Sequence, residues 1–567
     1  MSELFVSIWP EILLLVVGSL LLLFGTAKRP STRRIVPVLA LLSLLGIFFG
    51  LLFAAPADHT AKPASESLLI YRFQDYVKLI SAGAGALLVL LAWPTNRSAT
   101  GNTAIQYGHE TGEFFGLMLL SIAGIFFVAS ANDIIVLFLG IELASIPTYI
   151  MVSISRPMPV AQEAGVKYFF LGAMAAAVML FGFSYLYGTT GHTNLQEIAN
   201  SMQMSGPNHD WQLLALVMVI LGFGFKIAAV PLHAYAADVY QGAATPVTAF
   251  LAFVPKTSGF VALIKILFYA GQVGQEHFIL PDNISKMLWV LAVLTMFVGN
   301  VMGLLQHNIK RVLAYSSIAH SGYMLVGVTT IVTAQGHPDI QAAAVAGVLF
   351  YLAAYAIMNT GAFGVLMMLP SREAPELPEG AEDGAEPAAL GTSAETFEDI
   401  AGQGRRFLPL GIAMAVCCWS LTGLPFTIGF FGKFFLIKPA LMIASDNQLV
   451  RSRMTWLVVL LVINAAISAA YYLKIIGAMF LRAEPTSFYS KSTPRPSYDQ
   501  YRPAQAWPVM ASIAISVIGT LALGVYLPAT SNLADRSQAT EIQGTPPRID
   551  APIVVSTQPA TAAASAQ

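Results

Sequence analysis

The sequence predicts an all-α polytopic membrane protein, and three observations lead there. Of 567 residues, 56% are hydrophobic and only 11% are charged, with a mean hydropathy of +0.67. Soluble domains carry about 25% charged residues. Apolar segments of bilayer-spanning length follow one another almost without a gap. Two of these segments hold proline or glycine breaks beside a lysine, Lys226 in one and Lys433 in the other. Such breaks are tolerated at membrane depth where the backbone is packed in protein or lines a wet cavity.

Taken in order, the segments fall near 7–25, 35–55, 73–93, 114–130, 133–153, 163–188, 211–237, 246–270, 286–306, 310–332, 341–369, 407–443, 454–481 and 507–528, about fourteen transmembrane helices. Glu3 and Glu11 lie at the start of the first run, and Lys28, Arg29, Arg33 and Arg34 follow it. That is the reverse of a cleavable signal, so the run reads as a retained first helix. The seventh segment contains Pro231, five residues after Lys226. Proline removes a backbone donor and clashes one turn back, so this helix breaks beside its lysine. The twelfth segment is too long for one straight span. Its Gly423-Leu424-Pro425 followed by Gly429 and Gly432 marks a second interruption just before Lys433.

Residues 1–110 read as an N-terminal three-helix segment, and 111–270 and 285–481 as two five-helix repeats. The interrupted seventh and twelfth helices sit five apart, in corresponding places of the two units, as in transporters built on internal repeats. An odd helix number inverts the second copy. Residues 482–528 hold a loop and the last helix. Two stretches lie outside the membrane by composition. The segment 371–404 is dense in Glu, Ala, Pro and Gly and reads as an acidic flexible loop. The Ala/Thr/Pro/Ser-rich tail at 529–567 reads as disordered.

Loop Lys and Arg residues divide about two to one in favour of the side that carries Lys28, Arg29, Arg156, Lys310, Arg405 and Arg482. The positive-inside rule makes that side cytoplasmic and puts both termini outside, on the periplasmic side of a bacterial inner membrane. In this reading Lys310 and Arg311 chiefly set topology. Lys265 and Lys474 lie near helix ends and snorkel to the interface.

Ionisable residues at membrane depth are functional candidates by default, because a lysine at bilayer centre costs roughly 2.5–3.5 kcal/mol on insertion scales. Glu142 lies mid-helix, with Pro147 five residues on. A desolvated lysine can titrate as low as about pH 5–6. A carboxylate about 4 Å away returns roughly 4 kcal/mol at an effective dielectric of 20. An acid approaching and leaving Lys226 is therefore strong enough to hold and release its proton, and Glu142 is the obvious partner. Lys256, between Pro255 and Gly259, is a second buried base. His233 and His320 suit proton shuttling, and a structural, hydrogen-bonded histidine is the equal alternative for each.

Several chemistries find no support. The two cysteines, Cys417 and Cys418, are adjacent inside an apolar run and form no metal or iron–sulfur spacing. No GxGxxG follows a strand and no GxxxxGK[ST] occurs, so no nucleotide-binding motif is present. A net charge of −1 does not point to nucleic acid.

The stretches LGIELASIPTY, FKIAAVPLHAYAADVYQGAATPVTAFLAFVPK, NIKRVLAYSSIAHSGY and LTGLPFTIGFFGKF resemble the antiporter-like membrane subunits of the proton-pumping NADH–quinone oxidoreductase, respiratory complex I. The resemblance spans about 110–480 and is most specific at 222–260 and 306–323. It is nearest the N type: the long lateral helix of the L type is missing, and Lys433 stands where the M type has an acid. The resemblance implies fourteen helices, inverted repeats and a relay with Glu142 as modulating acid, Lys226 as its partner, Lys256 as central station and Lys433 as terminal donor. It also implies a subunit without a redox centre or cofactor of its own, assembled with other membrane-arm subunits, with FMN, iron–sulfur clusters and quinone held by partners. A stand-alone or Mrp-type cation/proton antiporter is the alternative function.

Overall fold

In the computed structural model of the chain, the described residues are 8–26, 30–53, 62–65, 68–70, 72–93, 111–156, 159–202, 208–273, 277–278, 280–369, 394–443, 447–483 and 506–525. The acidic stretch 371–393 and the tail 529–567 lie outside them, as do Glu3, Lys28 and Arg29.

The helices are α1 Trp9–Gly25, α2 Pro30–Phe53, α3 Arg72–Leu91, α4 Thr111–Ser130, α5 Ile134–Ile154, α6 Pro159–Thr190, α7 Leu195–Ser201, α8 His209–Lys226, α9 Ala236–Gly242, α10 Thr245–Gly271, α11 Asp282–Leu304, α12 Ile309–Thr333, α13 Pro338–Met368, α14 Gln403–Arg406, α15 Leu408–Thr422, α16 Ile428–Leu441, α17 Gln448–Phe480 and α18 Trp507–Val525. Two small antiparallel pairs complete the described elements, β1 (Lys62–Ser65) with β2 (Leu68–Ile70), and β3 (Gln272–Val273) with β4 (His277–Phe278). Within the described residues, every apolar segment named above is helical along its length, apart from a few residues at its ends and the breaks in the seventh and twelfth. Among the described residues, eleven helices are long and apolar enough to cross a membrane, and α1 and α15 are shorter apolar helices.

Local chemistry sets several ends. Asp133 caps α5 by accepting from the Ile135 amide at 2.7 Å, and Asn308 caps α12 by accepting from the Arg311 amide at 3.1 Å. Close packing also has local causes. A Cβ at Gly124 would lie 2.3 Å from the Ala144 nitrogen, so only glycine lets α4 and α5 approach so nearly.

The central helix is α10, whose whole spanning window is buried. It packs against α4, α5, α8, α12 and α13. A helix apolar on every side belongs in the interior, and α10 carries both Lys256 and Lys265 there. The seventh and twelfth segments are each two helices. The first break follows Lys226 at once, with Ala228 at φ 55 and Pro231 beyond it. The second lies between Gly423 at φ 86 and Thr427.

Three sequence expectations need correction. The acidic loop reading does not extend to residues 394–404, which pack on the helix ends instead of lying in solvent. There the Ile309 amide donates to the Glu395 carbonyl at 2.6 Å, and Asp399 accepts from the Glu395 and Thr396 amides at 2.9 and 2.8 Å. Lys310 is no surface topology marker, since its side chain is 0% exposed. It donates to the carbonyls of Gln241 and Ala243 at the end of α9 and pairs with Glu395 at 3.1 Å. Lys265 does not snorkel. Its amine is buried against the carbonyls of Val128, Ala129 and Ala131, where α4 ends. The orphan carbonyls and partial negative charge of a helix C-terminus make a seat for an ammonium away from water.

Candidate functional site

The site begins on α5, where Glu142, Ser145 and Tyr149 follow at three- and four-residue spacing and so share one face. All three meet the Lys226 amine: the Glu142 carboxylate at 3.0 Å, the Ser145 hydroxyl at 2.9 Å and the Tyr149 hydroxyl at 3.2 Å. Lys226 is the last residue of α8, so its charge also sits at a helix C-terminus. The break is what frees this position, and the Tyr235 hydroxyl takes up the Phe225 carbonyl at 2.9 Å.

A small cavity of about 10 Å³ joins Lys226 to Lys256, lined also by Tyr168, Tyr235, Tyr240 and Ser317. That is near the minimum for one water molecule among polar partners. On its far side the Tyr240 hydroxyl lies 3.2 Å from the Ser317 hydroxyl. The Lys256 amine donates to the Ser317 carbonyl and, at 2.8 Å, to the Ser321 hydroxyl.

His320 follows on the same helix as Ser317 and Ser321. Its Nδ1 lies 2.6 Å from the Tyr351 hydroxyl and its Nε2 3.0 Å from the Tyr472 hydroxyl. Tyr472 also meets the Ser316 hydroxyl. Both ring nitrogens thus face groups that can donate or accept, which lets a neutral imidazole change tautomer without losing a bond. Tyr355 stands 4.9 Å from the His320 ring on the side of Lys256, whose amine is 5.8 Å from the Tyr355 centroid. Tyr323 stands 5.4 Å away on the side of Lys433, whose amine is 4.8 Å from the Tyr323 centroid. Lys433 reaches back from α16 to the end of α15, donating to the carbonyls of Leu421 at 3.2 Å and Thr422 at 2.6 Å.

Five of the six sequence candidates, Glu142, Lys226, Lys256, His320 and Lys433, therefore lie along one polar line, half-buried at Glu142 and buried from Lys226 onward. The sixth, His233, does not continue the helix of Lys226. It sits within the break, partly buried, and its Nδ1 has no hydrogen-bond partner among the described residues. Ser316, Ser317 and Tyr323 were expected beside His320 as groups that could seat water, whereas Ser145, Tyr149, Tyr240, Ser321, Tyr351, Tyr355 and Tyr472 were not among the sequence candidates. Their signal was spacing: Ser145 and Tyr149 share the face of Glu142, Ser317 and Ser321 flank His320, and Tyr351 and Tyr355 are one turn apart. Among the described residues, no group of three or more His, Cys, Asp or Glu side chains gathers to hold a metal ion.

On the helix ends facing the 394–404 segment lies a separate charged knot. Glu395 Oε1 is 2.7 Å from Arg156 and 3.1 Å from Lys310. Burial alone would raise the Glu395 carboxyl, but the two cations outweigh it and hold the group down to about 2.

Comparison with known proteins bears on this arrangement. The profile described as NADH:quinone oxidoreductase/Mrp antiporter, transmembrane, matches residues 131–468. The NADH-quinone oxidoreductase subunit N of Trichlorobacter lovleyi is 35% identical over 521 residues, 91% of this chain and 93% of the relative. Subunit N 2 of Roseiflexus castenholzii is 38% identical over 428 residues, 75% of this chain and 76% of the relative. Among solved structures, a chain of respiratory complex I from Thermus thermophilus with bound Aureothin superposes with a TM-score of 0.67 at 28% identity, covering 92% of this chain and 97% of that one. A chain of the Mrp complex from Dietzia gives a TM-score of 0.72 at 18% identity, with 96% and 98% covered, a likeness of fold alone.

Proposed function

Because this chain belongs to the NADH:quinone oxidoreductase/Mrp antiporter family, we propose that it carries protons across the membrane along Glu142, Lys226, Lys256, His320 and Lys433. It is a proton-translocating membrane-arm subunit of NADH-quinone oxidoreductase and works assembled with the other membrane-arm subunits of complex I. The observation that carries the relay is the 3.0 Å ion pair between Glu142 and Lys226, opening through a small cavity onto Lys256. While Glu142 is ionised and close, the proton stays on Lys226. When that negative charge withdraws or is neutralised, the ammonium loses its partner in a desolvated setting and gives its proton toward Lys256. The tyrosine and serine hydroxyls then offer donors and acceptors from Lys256 through His320 to Lys433.

Electron transfer from NADH to quinone takes place in partner subunits that hold FMN, iron–sulfur clusters and quinone. We place the chain in the bacterial inner membrane with both termini periplasmic and fourteen crossings. In this arrangement α8–α9 and α15–α16 each make one broken crossing, and two five-helix units lie inverted to each other. His233, in the first break, is an access point to the relay instead of a link within it.

The test is proton uptake per NADH oxidised by the assembled complex in proteoliposomes. Lys226→Ala and Glu142→Ala should each lower that ratio while the complex stays assembled. An unchanged ratio in both variants would make this subunit a scaffold. Cation/proton exchange by the isolated chain would point to the antiporter function.

A further inference from the structure

A second group of buried charges lies apart from the lysine line. Glu11, in the first turn of α1, pairs with Lys78 of α3 at 2.5 Å, and both side chains are 1% exposed. The Ser130 hydroxyl donates to the same oxygen, Oε1, at 2.9 Å. The other oxygen, Oε2, is buried and has no hydrogen-bond partner among the described residues. Lys265 of α10 completes the group, its amine held by the carbonyls on either side of Ser130 at 2.7 and 2.5 Å. Lys78 and Lys265 act on each other coulombically. Asp75, three residues before Lys78 on α3, is close enough to interact electrostatically with both Lys78 and Glu11.

The place of this group matters. It lies where α1 begins, where α4 ends and within the last two turns of α10, which in the orientation above is the periplasmic half. Lys265 stands on the same helix as Lys256, nine residues or about 13 Å further along its axis. An ion pair this deep is balanced only when its remaining lone pairs are satisfied, and Glu11 leaves one oxygen unsatisfied. The ionic form of the pair is thus not the only one its surroundings suit.

We propose that Glu11 and Lys78, together with Lys265, form a second proton-exchange site, through which protons pass between the lysine line and the outer face of the membrane. The inference rests on the proton-carrying function proposed above. In the transfer, an N–H bond of the Lys78 ammonium breaks and an O–H bond forms on Glu11, turning ammonium and carboxylate into amine and carboxylic acid with no change in net charge. A proton arriving on Lys265 places like charge beside Lys78 and favours that step. Glu11 then gives its proton to water outside, and Lys78 is recharged from Lys265, so that one proton enters and one leaves.

The test is again protons moved per NADH oxidised by the assembled complex in proteoliposomes, for Glu11→Gln, with Lys226→Ala as reference. The expected result is a loss equal to that of Lys226→Ala, with NADH oxidation retained. The double variant Glu11→Gln/Lys78→Gln removes both charges of the pair together, so neither is left buried without the other, and it decides between the outcomes if the single variant does not assemble. A wild-type ratio in either assembled variant, beside a lowered ratio for Lys226→Ala, overturns this site and leaves the relay standing. A wild-type ratio for Lys226→Ala as well overturns the proton-carrying reading itself.

Discussion

The Lys433 amine lies 2.6 Å from the Thr422 carbonyl, so the second half of the broken helix α15–α16 sets its cation on the end of the first half. Gly423 makes this possible twice over. Its φ of 86 suits glycine, and a Cβ there would lie 2.8 Å from the Lys433 side chain. Gly423→Ala should therefore cost about 1–3 kcal/mol of local stability and displace the amine. The expected readout is a fall in protons per NADH without loss of NADH oxidation.

His320 is held between two hydroxyls, and removing one tests whether the ring must be bonded at both nitrogens. Tyr472→Phe leaves Nε2 facing a ring edge and Ser316 without its partner. An unmade hydrogen bond of this kind costs about 1–3 kcal/mol. Proton transfer should slow several-fold, and Tyr351→Phe should act alike. Equal pumping in both variants would reduce His320 to a packing residue.

Glu395 gives a pH signature. Its folded carboxyl is held at about 2 against an ordinary 4.5. A depressed carboxyl stabilises the docked segment fully above its unfolded value and loses that contribution as pH falls through the folded one. Hydrogen-exchange protection of residues 394–402 in the detergent-solubilised complex should thus hold from neutral pH to about 5 and fall between about 4.5 and 2. In Glu395→Gln, protection should start lower and stay flat across that window, because Arg156 and the buried Lys310 lose their shared carboxylate.

Lys167 serves as a contrast. It pairs with Glu163 and Asp238 at 2.7 and 3.2 Å, yet all three side chains are at least 40% exposed. Exposed pairs of this kind are worth little. Lys167→Ala should leave assembly and pumping at wild-type levels, while the buried Lys310→Ala should lower the yield of assembled complex.

The helices were legible because hydropathy alone marks spans, and the breaks because Pro231 and the Gly423-Leu424-Pro425 run disfavour regular helix, although Pro147, Pro255 and Pro439 lie within helices. Glu142, Lys226, Lys256 and Lys433 were legible because charge at membrane depth is costly enough to need a reason. What surrounds them was less so. Whether Lys265 reached the lipid surface or a carbonyl cage depended on where α4 ends, which nothing near Lys265 in sequence reveals. Lys310 looked like a topology marker because its partner Glu395 is 85 residues away. His233 lies seven residues after Lys226, a spacing that would share its face only in a continuous helix, and the helix ends at Lys226.

The burial of α10 on all sides has a mechanical consequence. A rod gripped around its whole girth cannot tilt or slide without prying its neighbours apart, and Gly259 brings it hard against Lys226 and Ile227. Rocking is therefore closed to this part of the molecule. Rotamers and hydroxyl rotors along the line can change without disturbing that packing.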